Sequence, residues 1–353
     1  MLMSWFWKFF QKPKVEEPKL DKKFVVGINL PWIDGQFDHD FGSNQITKLE
    51  STYQNSRTNY EMYIKNISEI GIRVVRLWMF ERFEGLRFGS EGQIIELAPD
   101  FLINLRDACK IAQKHGVKFY FCLLDSWGPT IYAPPEHKQS WTDLLNGIIT
   151  TNDKRKSFLE AVCQVLSDEI IKKSVWAVDV LNEPEGLERK KIPNSDEKQS
   201  DTGIIWSQLL EYIKEACSQI KAKTGHRVSC GFQEVETLKK FHNELQNYVD
   251  FFDFHAYNNT GTLPALHNLA LKKPCIIGEC GQASNKQDDQ LQKTIIKNFL
   301  ENSKKLGYSG CMVWQYGHTN IQINDSDRFR FLINSNGSTR PVVDEIKKFL
   351  VDI

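Results

Sequence analysis

Residues 175–184 read VWAVDVLNEP, a near-continuous apolar run that stops on Asn182-Glu183-Pro184. A short apolar stretch without alternation reads as a strand covered on both faces, the condition of a parallel sheet. Runs of the same kind recur along the chain. They are 24–30 (FVVGINL), 73–78 (RVVRLW), 117–124 (VKFYFCLL), 227–232 (RVSCGF), 249–255 (VDFFDFH), 274–279 (PCIIGE) and 310–316 (GCMVWQY). Amphipathic stretches separate them. In 100–115, Phe101, Leu105, Ala108 and Ala112 recur at helical spacing before a His115-Gly116 stop. In 204–220 the stripe is Ile205, Leu209, Tyr212, Ile213, Ala216 and Ile220, and 59–70, 154–171 and 286–306 are helical as well. Strands alternating with helices in this number predict an α/β fold, a single (β/α)8 TIM barrel. An open doubly-wound sheet would place a Gly-rich turn after the first strand, whereas Pro31-Trp32 stands there.

The length of 353 residues alone fits about two domains, but such a barrel can use that much chain as one. With no internal repeat visible, we assign 24–353 to the barrel and 1–23 to an extension and charged linker. The 45 Lys+Arg balance 45 Asp+Glu, so no basic surplus is available to grip a phosphate backbone, and no nucleic-acid partner is expected. At 41% hydrophobic and 25% charged, the composition excludes long disorder. The 12% aromatic content exceeds what a core requires, which points to rings lining a binding surface. The 8 cysteines include no C-x-x-C pair, and several lie in apolar runs, so reduced thiols are expected.

The N-terminal MLMSWFWKFF lacks the basic start, apolar centre and small-residue cleavage site of a secretory signal, which predicts a cytoplasmic protein. Its rings and the lysines after it suit a headgroup boundary, so membrane contact through 1–14 is the lesser alternative to a latched or frayed terminus. Oligomeric state is not legible.

Long insertions follow particular strands: WIDGQFDHDFGSN (32–44), IYAPPEHKQSWTDLLNG (131–147) and EGLERKKIPNSDEKQSD (185–201). In a barrel these loops elaborate the C-terminal face of the strands, where active sites are built. Glu183 closes the fourth strand run and Glu279 the seventh, so the two face one another across the barrel mouth. Paired carboxyls there can cleave a sugar acetal, one donating a proton to the leaving oxygen and the other attacking ionised. Either glutamate alone would read as a surface cap; the pair does not.

N-E-P after strand four, I-G-E after strand seven and a Trp ending strand eight resemble the clan A glycoside hydrolases, most of all family 5, the cellulases and mannanases. The resemblance extends from Phe24 to Leu350. It implies Glu183 as acid/base and Glu279 as nucleophile, with Arg76 of VVRLW holding the nucleophile ionised and Asn182 binding the sugar 2-hydroxyl. It also implies that His255 and Tyr257 of FHAY serve the site, with the tyrosine on the nucleophile, and that Trp314 forms the floor of the cleavage subsite. FLINSNGSTRP resembles the clan's closing hairpin before the last helix, turning at Asn336-Gly337. Many family members carry a histidine after strand three; here LLDSWGP puts Asp125 and Trp127 there, as in the mannanase branch.

Trp32, Trp78, Trp127 and Trp314 stand at strand ends where flat rings can stack on sugars, with Trp314 and then Trp32 preferred, while Trp176 and Trp206 read as core. The cluster Asp38-His39-Asp40 is a weak metal signal, and no metal or cofactor is expected. The ERKK run (188–191) reads as a solvated loop. The reading is a retaining endo-acting hydrolase of a β-mannan or β-glucan, with a carbohydrate as its partner. The alternatives are an exo-acting β-glucosidase or β-mannosidase using the same residues, and a catalytically silent sugar-binding protein on this scaffold.

Overall fold

The computed structural model describes residues 23–35, 37–128, 133–188, 203–322 and 326–353. All of the expected extension 1–23 but Lys23, its membrane-contact reading included, and most of the ERKK run lie outside the described residues.

Eight parallel strands close into a barrel: β1 Val25–Asn29, β2 Val74–Trp78, β3 Lys118–Cys122, β4 Val175–Asn182, β5 Val228–Phe232, β6 Phe252–Tyr257, β7 Cys275–Gly281 and β8 Gly310–Val313. Each pairs with its sequence neighbour, and β8 returns to β1 with Gly310 opposite Val25. The apolar runs therefore read correctly as strands, with two shifts. The sixth begins at Phe252 rather than 249, because the Val249 amide still donates to the Leu245 carbonyl of the preceding helix (3.1 Å). The eighth ends at Val313, short of the expected 316.

Strand alternation sorts the side chains. On β2, Val75 and Leu77 face the helices, while Val74, Arg76 and Trp78 face the barrel axis. Val74, Tyr120, Trp176, Phe251, Ile276 and Met312 pack together as one apolar layer within the barrel. Trp78, Cys122 and Trp314 form another layer beside Trp32 and Tyr257. Between them sit buried polar groups: Asn29, Arg76, Asp179 and Asp253. Full burial of each large apolar side chain contributes about 1.5–3 kcal/mol, which is what supports a polar layer of this size.

The helices follow their predicted stripes except at Ile205, which is exposed and stands just before the helix Trp206–Thr224. Pro99–Lys114 has proline in its first turn and buries Phe101, Leu105, Ala108 and Ala112. Tyr53–Ile70 starts earlier than expected and stops at Gly71, whose φ of 105° is the left-handed cap that glycine adopts without strain. Trp206, expected in the core, is only half-buried, its ring tilted against Phe241 at 4.5 Å. The insertion after β3 is a correction: much of it is not loop but the helix Pro135–Thr150. Its second proline, Pro135, takes the first helical position, and Trp141, Leu145, Ile148 and Ile149 form the buried face. A hairpin of Leu86–Phe88 with Ile94–Leu97 also went unpredicted. The expected closing hairpin is a bridge between Ile333 and Thr339 around Gly337, ahead of the helix Val342–Val351.

All eight cysteines are buried, and the Cys280 and Cys311 sulfurs lie 3.3 Å apart on neighbouring strands. Among the described residues no helix is long and apolar enough to cross a membrane.

Candidate active site

Arg76 is fully buried and organises the polar layer. Nη1 donates to Glu279 Oε1 at 2.5 Å and to Asn29 Oδ1 at 3.2 Å, while Nη2 donates to Asp179 Oδ2 and Asn182 Oδ1, both at 2.7 Å. Its guanidinium also lies 5.8 Å from the centre of the Tyr120 ring. One cation thus fixes the floor of β4 and the end of β7. Asn29 completes the frame by donating to the carbonyls of Gly278 (3.0 Å) and Val313 (3.3 Å). Arg76→Ala would leave Glu279 and Asp179 buried without their cation. We expect it to cost about 3–5 kcal/mol of stability in denaturant titration, together with most of any activity.

Glu279 accepts from Arg76 on one oxygen and from the Tyr257 hydroxyl on the other (2.6 Å). Burial pushes its carboxyl above the ordinary range; His255, Arg76 and the Tyr257 hydrogen bond oppose that, and the Glu183 charge adds to it. The expected pull of Arg76 toward the ionised form is therefore present, but burial outweighs it.

Glu183 leaves β4 in the left-handed region (φ 47°, ψ 62°), a conformation that costs a non-glycine residue about 1–3 kcal/mol. Its amide is held there by the Gly231 carbonyl at 2.7 Å, its carbonyl by Ser126 Oγ at 2.5 Å, and Pro184 follows. The turn aims the carboxyl inward. Oε2 accepts from Trp127 Nε1 (2.5 Å) and Oε1 lies 2.6 Å from His255 Nδ1. Burial raises Glu183 to about 7, with the Trp127 hydrogen bond opposing. His255 is pushed down to about 4 by burial, so its ring is neutral near pH 7, and its Nδ1 also lies 3.5 Å from Glu279 Oε2. Because the Trp127 N–H favours the ionised form of Glu183, Trp127→Phe is expected to move the alkaline limb of the pH–rate profile upward, read from kcat/KM between pH 5 and 9.

Asn182 is tied at both ends, its Oδ1 to Arg76 and its Nδ2 to Asp125 Oδ1 at 2.8 Å. A cleft of about 450 Å³ opens above these groups. Trp32, Asp125, Trp127, Asn182, Glu183, Tyr257, Glu279 and Trp314 line it, while Arg76 and His255 lie beneath. Trp32 stands edge-on to Trp78 (5.2 Å) and to Trp314 (6.1 Å), so the rings form a continuous apolar wall. The eleven residues that the sequence points to for catalysis or sugar stacking, Trp78 included, converge at one place.

One oxygen each of Glu183 and Glu279, with a ring nitrogen of His255, lie within 4.8 Å of one another, the only such trio among the described residues. It is a poor cation site, since the Arg76 charge lies 2.5 Å from Glu279 and Trp127 and Tyr257 already donate to the carboxylates. The Asp38-His39-Asp40 cluster serves the first loop instead. The Asp38 amide donates to Glu81 Oε2 (2.5 Å), and Asp40 accepts from the Ile33 amide (2.8 Å).

Sequence reasoning missed Asp179, the second anion on Arg76, although a lone acid inside VWAVDVL demands a buried partner. It also missed Glu81 and Arg82 on one wall and Asp327 and Arg330 on the other. Glu81, Arg82 and Arg330 lie in single 3-10 turns and Asp327 just before one, segments too short to show a periodicity.

The chain is a closed (β/α)8 barrel with two buried glutamates facing one another at its mouth. No family model matches the chain, and no curated protein matches it in sequence. Solved structures do. The β-mannanase of the blue mussel Mytilus edulis superposes with a TM-score of 0.65 at 19% identity, over 92% of this chain and 92% of its own. The β-1,4-mannanase of the sea hare Aplysia kurodai gives 0.65 at 18%, over 94% and 92%. An exo-β-1,4-mannosidase of an Opitutaceae bacterium gives 0.60 at 13%, over 93% of this chain and 59% of its own. At these identities the likeness is one of fold.

Proposed function

We propose that this chain is a family 5 glycoside hydrolase of clan A that cleaves β-1,4-linked mannan with retention of configuration. The observation that carries the reading is the pair of buried glutamates at the ends of β4 and β7, with one oxygen of each within 4.8 Å. That closeness favours the retaining arrangement, in which the carboxyls stand about 5–5.5 Å apart, over the wider inverting one.

In this scheme Glu279, held by Arg76 and Tyr257, attacks the anomeric carbon as Glu183 passes its proton to the departing oxygen. Glu183 then takes a proton from water as that water attacks the same carbon and releases Glu279. Glu183, raised to about 7, is protonated in acid solution and loses the proton as pH rises through that value. Its role as acid therefore fails as pH rises through about 7, giving an alkaline limb there. Asn182, with its amide anchored by Arg76 and Asp125, keeps one N–H for the 2-hydroxyl, and Trp314 supplies the stacking surface. Mannan is preferred among β-glycans because the mussel and sea hare structures, which cover 92% and 94% of this chain, are β-mannanases.

Exo action is the second reading, favoured by the Opitutaceae exo-mannosidase, which shares the barrel. Incubation with β-mannan, β-glucan and aryl β-mannoside, followed by product sizing, separates these. Internal cuts in mannan support the proposal; single mannose units released from chain ends support exo action; turnover of none of the panel refutes both.

A further inference from the structure

We propose that Asp327 and Arg330, on the loop between β8 and the last helix, form a clamp that sets the pose of both Trp314 and Tyr257, making them positioning residues for attack by Glu279. The inference rests on the functional reading above only for its kinetic consequence; the clamp itself is geometric. Asp327 Oδ2 accepts from Trp314 Nε1 at 2.8 Å. Asp327 Oδ1 accepts from Arg330 Nη1 at 2.9 Å. The Arg330 guanidinium lies 4.7 Å from the centre of the Tyr257 ring, a cation–π distance, and its Nε donates to the Gln282 carbonyl at 3.0 Å. One ion pair therefore joins the sugar floor to the tyrosine whose hydroxyl donates to Glu279.

The clamp has a rigid mount. The carbonyls of Phe329 and Phe331 accept from Arg340 Nη1 (3.0 and 2.7 Å), and that of Arg330 accepts from Gln292 Nε2 (2.8 Å). Arg340 is itself buried and paired with Asp289. A turn held this firmly from behind needs no side-chain ion pair for its own shape. Asp327 and Arg330 instead face the cleft, only partly exposed.

The test uses Arg330→Ala, Arg330→Lys and Asp327→Ala, each with circular dichroism and melting temperature checked against wild type. With indole-¹⁵N-labelled protein, the Trp314 N–H signal is identified by its loss in Trp314→Phe. It should shift in Asp327→Ala and Arg330→Ala and return toward its original position in Arg330→Lys. On mannan oligosaccharides, Arg330→Ala should lower kcat about 10- to 100-fold with KM changed far less, and lysine should recover most of it. An unmoved Trp314 signal in both alanine variants overturns the clamp, as does wild-type kcat in Arg330→Ala. If the wild type hydrolyses no β-glycan, the functional reading fails, and the indole signal still decides the clamp.

Discussion

Glu279→Ala is expected to lower turnover of β-mannan by at least about 10⁴-fold while leaving the chain folded. The attack on the anomeric carbon has no substitute among the neighbouring groups. Tyr257 donates its hydroxyl to Glu279, and burial pushes that hydroxyl well above its usual range, so it is no anion. Asp179 is committed to Arg76 and to the Gly231 amide (3.0 Å). The fold should survive because Arg76 keeps Asp179 as its anion when Glu279 is gone. A small external nucleophile such as azide, entering the space vacated by the carboxylate, should restore cleavage and give a product of opposite anomeric configuration. Initial rates with and without azide, alongside a melting curve, check this. Unchanged turnover in the variant would remove Glu279 from the chemistry.

Glu183→Ala should be nearly as damaging on mannan, by about 10²- to 10⁴-fold, but selectively so. Its proton matters most when the leaving oxygen is a sugar hydroxyl. For an aryl mannoside with an acidic phenol, the first step should persist and the second, which needs Glu183 as base, should stall. A burst of phenol followed by slow turnover is the expected trace; equal losses on both substrates would contradict the assignment. The same variant bears on stability. Glu183 has its pKa raised by burial to about 7, so its favourable contribution is complete below the ordinary glutamate range and is lost as pH rises through 7. The alanine variant lacks that loss, and its melting temperature should fall less than that of wild type between pH 6 and 8.

The barrel was legible because parallel strands covered on both faces leave continuous apolar runs, and each of the eight did so. The two glutamates were legible because strand ends are positions that the fold defines. Arg76 and Asn182 came through the family resemblance, and the fully buried guanidinium bears out why an arginine stands inside a strand. What escaped is what depends on distant partners. Asp179 differs from a stray surface acid only through Arg76, which lies on another strand. Arg330 gains its meaning from Tyr257 and Asp327, and no spacing rule connects these three. The helix Pro135–Thr150 escaped for a different reason: Pro134-Pro135 marks a loop when read alone, yet proline is at home in the first turn, and the buried stripe after it was the better guide.

Double displacement by two opposed glutamates on β-1,4-mannan can be followed by proton NMR of the anomeric region during the first minutes of mannohexaose hydrolysis. The β-anomer of the new reducing end should appear first and mutarotate slowly to the α form. An α-anomer appearing first would rule out retention, and no cleavage at all would rule out hydrolysis of mannan by these glutamates.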